Sequence, residues 1–158
     1  MNDEKIALMT QLNEARDELW NALDGVDPTV EIYPGWKKRE FLAHIAGWEA
    51  AVFDIFQDYR TNAPMKVYPY DNLTNVDAAN AGFVAARQVL PLEVVKLECE
   101  FNRTAIKLLL MRIPDPLFNR LANFPWGQES FADWTKGAIR HERAHTADIL
   151  QLTQAAAV

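Results

Sequence analysis

The chain has little cysteine, no excess of basic charge and no long hydrophobic run, and each shortage excludes a class of protein. The single cysteine, Cys99, excludes a disulfide within the chain and indicates a reducing cytoplasm. Because no histidine lies near Cys99 in the sequence, a buried and inert thiol is favoured over a reactive one. Lysine and arginine total 16 against 22 acidic residues, so no basic stripe can neutralise the phosphates of a nucleic acid.

The absence of long apolar segments also limits where the protein is expected to act. No apolar run approaches the roughly 18–20 residues of a membrane helix, and Leu108 to Met111 is only a short cluster. The region from Met1 to Arg16 is mostly polar and lacks the apolar core of a signal peptide. We therefore expect a cytoplasmic protein without a membrane partner. A length of 158 residues, 49% of them hydrophobic, predicts a single domain over residues 1–158.

Apolar residues recur at intervals of three and four along most of the chain, which predicts helices rather than strands. Four long helices are expected near residues 3–23, 37–60, 91–113 and 130–154, with a shorter one near 75–89. Such a set of amphipathic helices predicts an all-α four-helix bundle. Ser130 and Asp133 resemble a capping box at the start of the last helix. The start of the second helix is unusual, because Lys37 is a poor cap and two further cations follow it.

The pattern His-Glu-x-x-His near the end of the chain holds two of its three histidines, His141 and His145. Residues four apart on a helix share one face, so both imidazoles can point at one ion. We expect both on the inner stripe of the last helix, and His44 on the inner stripe of the second. Unpaired imidazoles there would cost about 1–3 kcal/mol each, whereas one ion satisfies both. Alone, each histidine is better read as a hydrogen-bonded core residue. Together the three predict a metal site with an open position for water or substrate.

The same pattern occurs in zinc metalloproteases, where the glutamate is the general base. Here no Gly-x-x-His extension follows, Asp148 is the sole downstream candidate ligand, and the third histidine lies upstream. A metalloprotease is therefore a poor fit. Glu142 lies about 100° around the helix from His141, and we expect it to be a solvated acid.

Three further residues are candidates for the surroundings of the site. Trp48 follows His44 by one turn and Trp134 precedes His141 by two turns, so both are placed to wall a pocket. Packing in the core is the favoured alternative for each tryptophan. Asp148 lies close to His145 on the helix, where it could accept a hydrogen bond from a ligand imidazole. Three polar loop residues either face a ligand or are solvated: Asp71, Asn72 and Asn75.

Taken together, these residues resemble the DinB-like superfamily, also described as damage-inducible or YfiT-like metalloenzymes. The matching pieces are Trp36, the run from Leu42 to Glu49, the turn from Pro125 to Gly127 and the run from His141 to His145. The resemblance spans roughly residues 8–152, and its specificity comes from the combination of one early histidine with a His-x-x-x-His pair.

The resemblance implies an up-down-down-up four-helix bundle that holds a divalent ion, often nickel or zinc, at one end. Carried over residue by residue, it assigns the metal ligands to His44, His141 and His145. The chain departs from the family at Lys37, where members commonly have a Ser or Thr helix cap. That departure affects the helix start and leaves the metal ligands intact. A homodimer is also expected from the resemblance.

The resemblance implies two kinds of chemistry. Some relatives are transferases or isomerases that use a low-molecular-weight thiol such as mycothiol, bacillithiol or glutathione, and others are hydrolases. The metal would lower the pKa of the thiol or of water. We therefore expect a metal-dependent small-molecule S-transferase or hydrolase. One alternative is a non-catalytic metal- or ligand-binding stress-response protein, and another is a metal-free helical dimer with structural histidines.

Overall fold

The computed structural model describes residues 2–61 and 73–156, which form six helices and one short hairpin. Each long helix begins and ends within two residues of its predicted position, and the prediction of an all-α helical bundle is confirmed. The elements in chain order are α1 (Asp3–Asp24), α2 (Lys38–Thr61), α3 (Val76–Arg87), α4 (Leu92–Arg112), α5 (Asp115–Phe118), β1 (Ala122–Phe124), β2 (Gly127–Glu129) and α6 (Phe131–Ala156).

Local hydrogen bonds explain where the helices begin. Ser130 accepts from the backbone N–H of Asp133 at 3.0 Å and donates its hydroxyl to the Asp133 carboxylate at 2.7 Å. Ser130 therefore caps the start of α6 as predicted, and Asp133 binds the Ser130 hydroxyl. At the start of α2, Glu40 accepts two hydrogen bonds from the Arg39 guanidinium, at 2.9 and 3.1 Å. An acid in the first turn offsets part of the unfavourable interaction between nearby cations and the helix dipole.

Contacts divide the chain into two compact units, and the first combines described residues of 1–38, 114–122 and 129–158. Its helices are α1, α5 and α6. Lys5 is almost fully buried, and its ammonium lies 3.1 Å from the Asp115 carboxylate and 4.9 Å from the centre of the Phe118 ring. The apolar stripe that the spacing predicts for α1 is buried at Met9, Leu12, Ala15, Leu19 and Leu23, whereas Ile6 at its start is 45% exposed.

The second unit contains residues 39–113 and 123–128, with helices α2, α3 and α4. Asn102 of α4 donates its side-chain amide to the carbonyl oxygen of Ala46 at 3.0 Å. The Cys99 thiol, fully buried, donates to the carbonyl oxygen of Leu42 at 3.4 Å. The prediction that Cys99 is a buried thiol is confirmed. That the whole chain is one domain stays a prediction.

The aromatic turn expected near residues 124–127 is a β-hairpin whose strands β1 and β2 pair with each other. The rings of Phe124 and Trp126 stack with centroids 5.2 Å apart and planes 15° from parallel. Phe56 and Tyr59 of α2 complete the cluster, with centroids 5.3 and 4.6 Å from the Phe124 ring. This cluster fixes the hairpin to the second half of α2.

Two further sequence predictions concern the regions around the helices. Within the described ranges, no helix is long and apolar enough to cross a membrane. Asp71 and Asn72, named as loop residues that face a ligand or solvent, lie outside the described residues.

Candidate metal-binding residues

His141 and His145 lie one turn apart on α6, and their rings meet edge to face with centroids 4.3 Å apart. His145 is half-buried, whereas His141 is exposed. Desolvation of the imidazole lowers the pKa of His141, and the nearby negative charge of Glu142 opposes this shift. A lowered pKa keeps the ring neutral, which is the state that binds a metal ion.

The buried line of α6 differs from the predicted one. It contains Thr135, Ile139, Glu142, Thr146 and Ile149, each less than a tenth exposed. The prediction that both histidines lie on the inner stripe is therefore wrong for His141, which is exposed. The reason is that the stripe packed in the first unit is rotated by one residue from the line of histidines.

Glu142 is not the solvated acid that the sequence suggested. It is 4% exposed and accepts a hydrogen bond from the Arg16 guanidinium of α1, with Nε and Oε1 2.5 Å apart. Arg16 is itself buried and lies over the Trp20 ring at 5.0 Å. Charges are buried in proteins when they are paired, and this pair joins α1 to α6. The contact gives Glu142 a buried partner on α1.

A tight turn before α2 positions Tyr33. The backbone N–H of Trp36 donates to the Tyr33 carbonyl oxygen at 2.8 Å, and Gly35 has φ +79°. Proline at the second position and glycine with positive φ at the third are typical of a type II turn, which the sequence Tyr33-Pro34-Gly35-Trp36 matches. The Tyr33 and Trp36 rings also meet edge to face at 6.3 Å.

The Tyr33 hydroxyl bridges two residues of α6. It lies 2.6 Å from Nδ1 of His145 and donates to the Asp148 carboxylate at 2.8 Å. Burial, together with the hydrogen bond to Asp148, raises the pKa of Tyr33, so the hydroxyl keeps its proton. Since that proton points to Asp148, the hydroxyl oxygen accepts from Nδ1–H of His145. The network assigns the Nδ1–H tautomer and directs the lone pair of His145 to Nε2.

His44 in the second unit has a comparable partner. Its Nδ1 lies 2.8 Å from Oδ1 of Asn80 on α3, and the Trp48 indole N–H donates to the same oxygen at 2.7 Å. Two donors on one oxygen fix the orientation of the Asn80 amide. Because the oxygen can only accept, Nδ1 of His44 carries the proton and its lone pair is on Nε2. His44 is buried, 5% exposed.

Close packing of α3 on α2 places Asn80 beside His44. A Cβ atom added to Gly47 would lie 2.2 Å from Cγ of Phe83, so only glycine permits this approach. The Phe83 ring also meets the Trp48 indole edge to face at 5.3 Å. Glycine at 47 and phenylalanine at 83 therefore set the distance that the His44–Asn80 hydrogen bond needs.

The other residues that the sequence predicted around the site have different contacts. Trp48 contacts His44 indirectly through Asn80, and Asp148 contacts His145 indirectly through Tyr33. Trp134 is half-buried on α6, two turns before His141. Asn75 accepts from the backbone N–H of Ala78 at 3.1 Å and so caps α3.

Sequence reasoning missed two residues, Tyr33 and Asn80, that contact the ring nitrogens of candidate ligands. A local signal existed for Tyr33, because the following Pro34-Gly35 pair predicts a turn that fixes its direction. Asn80 lies 36 positions from His44 on a helix of its own, and no local spacing connects the two.

Comparisons with known proteins identify the fold of the chain. No family model matches the chain, and no curated protein matches it. Among solved structures, an uncharacterised protein from Clostridium difficile 630 aligns with a TM-score of 0.79 and 14% identity, over 98% of both chains. An uncharacterised protein from Escherichia coli UTI89 gives 0.78 and 13%, over 100% of this chain and 97% of that one. The chain has the DinB/YfiT-like fold.

A mycothiol-dependent maleylpyruvate isomerase also shares this fold. The alignment has a TM-score of 0.71 and 15% identity, and it covers 94% of this chain. The chain spans 63% of the length of the isomerase. At identities this low, the alignments show that the proteins share the DinB/YfiT-like fold. They do not show that the proteins share an activity.

Proposed function

We propose that His44, His141 and His145 hold one divalent metal ion, nickel or zinc, in a small-molecule enzyme that activates a thiol. Each of the three residues can offer one imidazole nitrogen to an ion. The observation that carries the proposal is that Nδ1 of His44 faces an Asn80 oxygen and Nδ1 of His145 faces the Tyr33 hydroxyl. Metal-ligating histidines usually donate their second ring N–H to such an acceptor, which fixes the tautomer and the ring orientation.

The available donor atoms fit a nickel or zinc ion better than a magnesium or calcium ion. All three proposed ligands are imidazoles, which suit zinc and nickel, whereas magnesium and calcium prefer oxygen. Glu142, the acid beside His141, is in a buried pair with Arg16. When bound, a divalent ion keeps its full charge among neutral imidazoles and lowers the pKa of a thiol or water at its open position.

The protein side chains would perform the positioning. Asn80 holds His44 through Nδ1, and Tyr33 with Asp148 holds His145 through Nδ1. Both contacts keep the ring from rotating and raise its basicity as a ligand. A thiol is favoured over water as the activated group because an isomerase with the same fold is named as mycothiol-dependent. The cosubstrate is then a low-molecular-weight thiol, and the substrate is a small electrophile.

Elemental analysis of protein purified without a metal-binding tag tests the ion. We expect about one nickel or zinc ion per chain, and its loss in His44→Ala, His141→Ala and His145→Ala. Arg143→Ala is a matched control, because Arg143 lies on the same helix and its guanidinium donates to Glu18 at 3.1 and 3.2 Å. Metal retained in all three histidine variants, or absent after incubation with divalent ions, contradicts the proposal.

Turnover tests the chemistry separately. Metal-loaded protein is incubated with mycothiol, bacillithiol or glutathione, each with maleylpyruvate and other small electrophiles, and product is followed by absorbance. The expected result is thiol-dependent turnover that a chelator abolishes. A protein that binds metal and shows turnover without thiol is a hydrolase. One that binds metal and shows no turnover is a non-catalytic binding protein.

A further inference from the structure

A groove in the second unit lies between α2 and α4. It encloses about 380 Å³, within the range of about 300–1,000 Å³ that is usual for small-molecule sites. Its walls include Phe53, Gln57 and Arg60 of α2, and Phe101, Leu108 and Arg112 of α4. The groove that these residues line is called the α2/α4 groove below.

Three hydrogen bonds show that α2 and α4 run in the same direction. Successive donors on α4 reach successive acceptors on α2: Cys99 donates to Leu42, Asn102 to Ala46 and Arg103 to Glu49. Because the partners advance together along both helices, the two C-terminal ends lie at the same end of the unit. Arg60 and Arg112 belong to the last turns of these helices, so both lie at one end of the groove. The Phe53 and Phe101 rings lie toward the other end.

The charged end of the groove is positive. Both charged residues among the described ones that line it are arginines. Arg103 of the same unit is buried with Glu49, whereas Arg60 and Arg112 are exposed and form no ion pair with the described residues. Each arginine balances the dipole of its own helix, a role that does not require the two to share a groove. Two neighbouring guanidinium groups attract an anion, and their planar donors suit a carboxylate.

The rest of the groove is largely apolar. Phe101 is 71% exposed and Leu108 is 48% exposed, whereas Leu109, which also lines the groove, is 5% exposed. Covering such exposed side chains with an apolar ligand is favourable in proportion to the area removed from water. The groove therefore combines an apolar surface with a cationic end.

We infer that the α2/α4 groove binds a medium-chain fatty carboxylate, with its apolar chain along Phe101 and Leu108 and its carboxylate at Arg60 and Arg112. Such a ligand is charged at one end and apolar along the rest, as the groove requires. Residues 101 and 112 are about 16 Å apart along α4 at a rise of about 1.5 Å per residue, which favours an extended ligand over a compact anion. The site lies within the second unit and uses none of the three histidines.

Isothermal titration calorimetry of the full chain with decanoate tests the site. We expect one decanoate per chain, and octanoate and hexanoate should bind progressively more weakly, by up to about four-fold for each methylene removed. Decanol keeps the apolar chain without the charge and should bind at least about 10-fold more weakly than decanoate. Equal affinities for decanoate and decanol overturn the inference. So does the absence of binding, which is the outcome if a second copy of the chain covers the groove.

Paired charge variants test the cationic end. Arg60→Gln/Arg112→Gln should weaken decanoate binding by at least about 10-fold and leave decanol binding unchanged. Arg39→Gln/Arg120→Gln is the matched control, because it removes the same charge from two exposed arginines outside the groove. Added salt should weaken the binding of decanoate to the original chain by screening the charges. Equal losses of affinity in the two double variants would show that net charge attracts the ligand, and would overturn the site.

Single variants test the apolar wall and the location. Phe101→Ala should weaken decanoate and decanol binding alike, by about five-fold, because it removes apolar contact area. Leu97→Ala is the control, since Leu97 is 68% exposed on the same helix but does not line the groove. His145→Ala should bind decanoate as the original chain does. Circular dichroism checks that each variant stays helical. Equal effects of Phe101→Ala and Leu97→Ala, or loss of decanoate binding in a folded His145→Ala chain, overturn the inference.

Discussion

The Tyr33 hydroxyl lies 2.6 Å from Nδ1 of His145, although 112 positions separate the two residues in the chain. A glycine-containing turn fixes the tyrosine, and one turn of α6 carries both the histidine and the Asp148 acceptor. Three residue types therefore form one chain of hydrogen bonds, from imidazole to hydroxyl to carboxylate. Such a chain controls which ring nitrogen is available to an ion.

Tyr33→Phe is expected to weaken metal binding by about 10- to 100-fold, the usual effect of removing a residue that orients a metal ligand. Without the hydroxyl, Nδ1 of His145 loses its acceptor, and the ring is free to rotate and change tautomer. Competition with a chromophoric chelator measures the affinity. Tyr59→Phe is the matched control, because Tyr59 packs on Phe124 within the second unit. An unchanged affinity in Tyr33→Phe would show that the hydroxyl does not orient the ligand.

Two substitutions of Asn80 should separate hydrogen bonding from simple packing beside His44. Asn80→Leu keeps the side-chain volume and removes the oxygen that accepts from both His44 and Trp48. It is expected to lower metal affinity about 10- to 100-fold and to cost about 1–3 kcal/mol in unfolding free energy. Asn80→Asp keeps an acceptor oxygen and should retain metal within a few-fold.

The same chelator competition, together with urea unfolding, distinguishes these outcomes. Gln88→Ala at the exposed end of α3 is the control for changes in that helix. Equal losses of metal in Asn80→Asp and Asn80→Leu would contradict the role of the oxygen and favour a packing role.

The helices could be predicted from the sequence because their signals are local. Apolar spacing, the Ser130–Asp133 cap and the prolines near residues 91 and 114 each act within a few positions, and the observed bounds follow them. The pair His141 and His145 is equally local, since four positions on a helix make one turn.

The contacts that orient the ligands could not be predicted in the same way. The buried line of α6 lies one residue from the histidines and includes Glu142, which pairs with Arg16 of α1. Asn80 meets His44 only because Gly47 lets α3 approach α2. Each depends on a tertiary contact between residues far apart in the chain, which periodicity does not encode.

The Arg16–Glu142 pair provides a test of the metalloprotease reading of His-Glu-x-x-His. Glu142→Gln leaves Arg16 buried with a weakened partner, so we expect a loss of up to about 3–5 kcal/mol in unfolding free energy. The double variant Arg16→Met/Glu142→Leu removes both charges and should recover most of that stability. Urea unfolding measures both chains.

Metal content of the double variant completes this test. If Glu142 is structural, the double variant should still bind about one ion per chain, since the three histidines are intact. Loss of the ion from a stably folded double variant would show instead that the carboxylate belongs to the metal site. A comparable buried pair lies in the second unit, where Nε of Arg103 is 2.6 Å from Oε1 of Glu49. Breaking that pair is a control for the loss of unfolding free energy that such a contact causes.

Alanine is expected to have opposite effects on stability at two glycines of the second unit. Gly47→Ala places a methyl group 2.2 Å from the Phe83 ring, so α3 has to move, and we expect a loss of about 1–3 kcal/mol in unfolding free energy. Gly82→Ala meets nothing within 4 Å on the exposed side of α3. It should stabilise the chain by up to about 1 kcal/mol, because alanine favours a helix over glycine.

A second change identifies the cause of the loss at Gly47. Phe83→Ala removes the ring that the new methyl group would meet. Gly47→Ala should therefore lower the unfolding free energy much less in the Phe83→Ala chain than in the original chain. Urea unfolding of the four chains gives this coupling directly. Metal affinity should follow the same pattern, since displacing α3 moves Asn80 away from His44. Additive effects of the two substitutions would mean that the contact between Gly47 and Phe83 does not hold α3 in place.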